Sequence, residues 1–107
     1  MKPLIWSLLT IAALSAAQGK RLFTGTITDS MCANADHVPM RMGPTDAECT
    51  IACINEHGAV YVLYDGKDSY TLSDQRTPEK FAAQKVTVRG MLNVKTKTIQ
   101  VDSITAK

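Results

Sequence analysis

Cys32, His37, Cys49 and Cys53 fall within a span of 22 residues, and Met40 and Met42 lie between them. Three thiolates and one imidazole form a Cys3His set suited to tetrahedral zinc. Thiolates assisted by the Met40 or Met42 thioether would select Cu(I) instead. The chain holds three cysteines, so at least one thiol has no partner within it. A third outcome is a disulfide from Cys32 to Cys49 or Cys53, which would stabilise the fold by roughly 2–4 kcal/mol and leave one cysteine free.

The spacing separates these outcomes only in part. Cys49 and Cys53 are four apart on an expected helix, which puts their Cβ atoms on one face about 5–6 Å apart. A disulfide needs Cβ atoms about 3.5–4.5 Å apart. The two helical thiols therefore aim at a common third partner, and Cys32 is the candidate. No Cys-x-x-Cys or zinc-finger spacing occurs. For His37, ahead of Val38-Pro39-Met40, the plain alternative to a ligand is a solvated loop histidine. His57 falls at the helix C-terminus, where it complements the dipole. Met40 and Met42 can serve as packing filler, and strand alternation turns Met31 into the core. Tyr61 and Tyr64 have opposite strand parity, so cross-strand packing is expected of them, not a stacking platform.

No Gly-x-Ser-x-Gly, His-Glu-x-x-His, phosphate loop, dinucleotide fingerprint or haem-attachment motif is present. The carboxylates are scattered rather than paired. A binding protein is expected, not an enzyme, although a thiol redox role would remain open to a low-pKa, exposed cysteine.

Residues 1–17 have the form of a signal peptide. Lys2 is the positive region, Leu4 to Leu14 the apolar run, and Ser15-Ala16-Ala17 the small-residue cleavage site, with Gly19 the second choice. The run is too short for a spanning helix. Export to the periplasm or beyond is expected, with no stable membrane insertion after cleavage. Residues 20–107 then form one small domain. With Lys2 removed, 11 Lys and Arg face 10 Asp and Glu, which is no footprint for nucleic acid. A domain this small gains from a disulfide or metal staple, and the partner would be an unidentified protein or small ligand.

The elements that must position the sulfur residues follow from local signals. Residues 20–28 read as a first strand with Gly25 inside it, a mark of a bulge or bend. Residues 29–45 are a polar loop. Thr45-Asp46-Ala47-Glu48 has the form of a capping box and opens a helix to His57, stopped by Gly58. Strands are expected at 59–64, 69–72, 85–92 and 98–101, the last reaching towards Ile104. Asp65 to Asp68 make a turn. Thr77, as N-cap, and Pro78 open a short helix carrying Phe81 inward.

Three strands, a short helix and two strands make the layout of an OB-fold, a five-stranded Greek-key barrel. The fold class is therefore mostly β with short helices. The helical, cysteine-bearing insert lies between strands 1 and 2, a connection that binds ligands in OB-folds. Gly25-Thr26-Ile27-Thr28-Asp29-Ser30-Met31-Cys32, His37, Cys49-Thr50-Ile51-Ala52-Cys53 and Tyr61-Val62-Leu63 resemble a group of small exported bacterial proteins of uncharacterised function. That resemblance implies the fold and the cysteine layout and supplies no activity.

Overall fold

In the computed structural model, which describes residues 19–107, the strands are β1 (Arg21–Asp29), β2 (Tyr61–Tyr64), β3 (Ser69–Leu72), β4 (Lys85–Asn93) and β5 (Thr98–Ala106). Among the described residues one α-helix, α1 (Asp46–His57), lies between β1 and β2 in the chain, and 3-10 turns occupy Val38–Met40 and Thr77–Phe81. The signal-peptide reading of residues 1–17 lies outside the described residues.

The strands close into a ring in the order β1-β2-β3-β5-β4. All neighbours are antiparallel except β3 and β5, which run parallel through Thr71–Thr98 and Leu72–Ile99. The first strand serves two partners. Its N-terminal part pairs with β4, its C-terminal part with β2, and Thr26 belongs to both registers. Gly25 sits at this changeover. A Cβ there would collide with the carbonyl oxygen of Tyr64, so only glycine lets the strands approach closely enough for the ring to turn. Gly90 plays the same part at the irregularity between β4 and β5, where a Cβ would collide with the Gln100 carbonyl.

Strand alternation fills the ring. Ile27, Tyr61, Leu63, Leu72, Val86, Val88 and Ile99 are the buried cluster, with Phe23, Tyr70, Phe81, Leu92, Val101 and Ile104 packed against it. Ile54 of α1 also packs on this cluster, which docks the helix on the barrel. The buried residues of α1 are Cys49, Thr50 and Cys53.

Local chemistry sets the boundaries. Thr45 is the N-cap of α1, and its hydroxyl accepts from the Glu48 N–H at 3.1 Å. The helix ends at Gly58, in the left-handed region at φ 69°. The second 3-10 turn is capped differently from expectation. Thr77 is its first residue, and Asp74 takes the capping role, accepting from the Arg76 and Thr77 N–H groups at 2.9 and 3.0 Å. Asp74 reaches those donors because the chain turns at Ser73–Asp74, before the position that the Thr-Pro signal marks. Beyond the end of β3, Gln75 completes the pairing of β2. It accepts from the Tyr61 N–H at 2.7 Å and donates to the Tyr61 carbonyl at 2.9 Å.

Candidate metal centre

Asp29 is the last residue of β1, on the side of the strand that carries Ile27. It is fully buried. Its Oδ1 accepts from the N–H groups of Met31 and Cys32 at 2.9 and 3.0 Å, an Asx turn that folds the chain back over the barrel end. Thr28 Oγ1 donates to the Cys32 carbonyl at 2.8 Å. The Cys32 backbone is thus fixed by both residues at the end of β1. Ser30 and Val60 extend the β1–β2 pairing, with Ser30 N–H to Val60 O at 2.9 Å and Val60 N–H to Ser30 Oγ at 3.0 Å. The insert therefore leaves and rejoins the barrel at one bonded pair.

Within the insert, Asx turns at Asn34 and Asp36 and a left-handed Ala35 (φ 63°) bring His37 inward. It is 3 % exposed, so it is not a solvated loop histidine. Its Nε2 lies 3.4 Å from Thr50 Oγ1 on α1. Its Nδ1 lies 4.0 Å from Asp29 Oδ2. Neither Nδ1 nor Oδ2 has a hydrogen-bond partner. One ligand atom each from Asp29, Cys32 and His37 lie within 4.8 Å of one another, and all three residues are buried.

Cys32, Cys49 and Cys53 are buried free thiols, so the bridge from Cys32 to the helix is not formed. The helical sulfurs have other neighbours. Cys49 Sγ donates to the Met40 carbonyl at 3.4 Å and accepts from the Met42 N–H at 3.3 Å, fastening the loop to the helix. The Cys53 thiol feels the Asp29 carboxylate. Burial first, and then the negative charge of Asp29, pushes it up to about 11. The Cys32 thiol is raised by the same two causes in the same order. Both thiols therefore stay protonated near neutral pH, the reverse of what a nucleophilic cysteine requires. A cation among them would reverse that balance, because a coordinating thiol is deprotonated outright.

The structure brings together Cys32 and His37 from the expected set and adds Asp29, which the sequence reading passed over. Cys49 and Cys53 belong to the same buried region, outside the group of three. Met31 departs from expectation: it is 43 % exposed, because the Asx turn ends the strand alternation at Asp29 and swings it outward. Met40 is also exposed, so it is no filler of the core. Among the described residues no helix is long and apolar enough to cross a membrane. Comparisons with protein-family models, curated proteins and solved structures find no match.

Proposed function

We propose that this chain is an exported binding protein, periplasmic or secreted, in which an OB-like barrel carries a helical insert that holds a transition metal ion. The observation that carries this reading is the pair Asp29 Oδ2 and His37 Nδ1. Both atoms are buried and unpartnered, and they face each other beside the Cys32 thiol. A buried polar group without a partner costs about 1–3 kcal/mol, and a shared cation would satisfy both at once. At 4.0 Å the pair is too long for a direct hydrogen bond. Two donors on one tetrahedral zinc stand roughly 3.4 Å apart, given zinc–nitrogen and zinc–oxygen bonds of about 2.0–2.2 Å. A contraction of about half an ångström would bring this pair to the separation of two zinc ligands.

Asp29, Cys32 and His37 supply three ligands. Cys53, buried on α1 but outside that group of three, is the candidate for the fourth. Cys49 ties the Met40–Met42 loop to α1. A carboxylate oxygen beside imidazole and thiolate suits zinc better than Cu(I), which prefers thiolate and thioether. With Cys53 as the fourth donor no position would stay open, the form of a site that holds its ion rather than one that performs catalysis.

Metal analysis of the purified protein, before and after reconstitution with zinc and with copper, tests the reading. About one equivalent of zinc per chain is expected. Sub-stoichiometric zinc and copper in every preparation overturns it. Native mass spectrometry of the same sample reports signal-peptide cleavage alongside the bound metal.

A further inference from the structure

We infer that His37 enters the metal site through Nδ1 and that Thr50 is the positioning residue that holds the ring in this orientation, an inference that rests on the metal-binding reading above. An imidazole ring offers a metal only one lone pair at a time, and the other nitrogen must place its proton somewhere. In most proteins the hydrogen bond made by the second nitrogen fixes which one binds. Here the two nitrogens have different surroundings. Nδ1 points at Asp29 Oδ2 across 4.0 Å and has no partner. Nε2 lies against Thr50 Oγ1 at 3.4 Å, and Thr50 is fully buried on the inner face of α1.

The Thr50 hydroxyl can accept from a protonated Nε2 or donate to a bare one, so it holds the ring in either state, and a metal on Nδ1 leaves the proton on Nε2. With the proton on Nε2, the ring donates to the Thr50 hydroxyl. The Nδ1 lone pair then faces the same point as the Asp29 carboxylate and the Cys32 sulfur. Thr50 never touches the ion. It acts through His37, holding the ring so that three ligands from β1 and the loop converge.

The position of Thr50 between Cys49 and Cys53 adds a geometric consequence. Helical periodicity keeps residues 49, 50 and 53 on one face, so the same face of α1 that brings Cys53 to the site also brings the hydroxyl that orients His37. A slip of the helix would lose both together.

The test uses the full chain loaded with zinc and, separately, with Co(II) as a spectroscopic probe. Long-range proton–nitrogen correlation of the His37 ring in the zinc form is expected to show Nε2 protonated and Nδ1 bound to metal. Thr50→Val, which keeps the shape and removes the hydroxyl, should weaken zinc binding 10- to 100-fold, the usual effect of losing an outer-shell partner. It should also shift the Co(II) absorption bands, while the far-UV circular dichroism of the metal-free protein stays that of wild type. Thr50→Ser should restore both affinity and spectrum. Metal bound through Nε2, or a Thr50→Val affinity within twofold of wild type, overturns this inference and leaves metal binding standing. A Thr50→Ser variant as weak as Thr50→Val overturns it too, since the hydroxyl would then not be the active group. A wild-type chain that binds no zinc overturns both readings.

Discussion

The two oxygens of Asp29 have unequal surroundings: Oδ1 is saturated by two backbone N–H groups, and Oδ2 has no hydrogen-bond partner. Asp29→Asn should therefore separate two properties. The amide oxygen can keep the Asx turn, and the amide nitrogen can donate towards His37. The metal-free variant should be more stable than wild type by about 1 kcal/mol, yet gain nothing in thermal melting when zinc is added. Melting curves with and without zinc check this; a variant that still gains stability from zinc would remove Asp29 from the ligand set. The thiols offer a second check. Burial and the Asp29 charge hold Cys32 and Cys53 protonated, so iodoacetamide at pH 7 should label the folded, metal-free protein far more slowly than a free thiol. Mass spectrometry should find all three cysteines modified only after denaturation. The sulfur–histidine part of the site was legible in the sequence because cysteine and histidine are scarce and carry chemistry wherever they fall. Asp29 was not legible. An aspartate after a threonine-rich strand reads as an ordinary turn residue, and only its burial with Oδ2 unpartnered marks it as a candidate ligand.

Secondary structure was easier to read, because its signals are local. The Thr45 cap, the Gly58 stop and the Asp65–Asp68 turn each depend on a few neighbouring residues, and all fall where the chain pattern put them. Pairing depends on distant residues, and so the parallel contact of β3 with β5 and the double role of β1 have no local signature. Two substitutions test the elements separately. Thr45→Ala removes the bond to the Glu48 N–H, and losing such a cap costs about 1 kcal/mol. For a domain of this size that lowers the melting temperature by roughly 4–8 °C. Gly25→Ala forces a Cβ into the Tyr64 carbonyl. Because backbone cannot step aside as a side chain can, the loss should reach at least about 1–3 kcal/mol. Urea denaturation ranks the two, and a Gly25→Ala variant as stable as wild type would mean that the ring closes without the close approach.

Across the whole molecule, acid should weaken the fold through two turns outside the group of Asp29, Cys32 and His37. Bonds from Thr77 and from the Arg76 N–H hold the Asp74 carboxyl below its ordinary range, and the N–H groups of Asp68 and Lys67 do the same for Asp65. A carboxyl with a depressed folded pKa binds fewer protons folded than unfolded at low pH. Its contribution is therefore complete above the unfolded value of about 3.9 and is lost as pH falls through the folded value. Denaturation midpoints should hold between pH 7 and 5 and then decline towards pH 2. An Asp65→Asn, Asp74→Asn double variant should show a shallower decline, and an unchanged slope would place the acid sensitivity elsewhere. Every strand of the ring has a neighbour on each side, although β3 meets β5 through only two residue pairs. Within that ring, the bonded pair Ser30–Val60 has an architectural meaning. The two ends of the insert sit side by side, so the segment between them behaves as a cassette. Its length can change at small entropic cost, about 0.6 kcal/mol for each doubling, while the chassis beneath keeps its registers. The candidate ligands Cys32, His37 and Cys53 travel with the cassette and only Asp29 stays with the chassis, so a transplanted insert would need an acid at the end of the receiving strand.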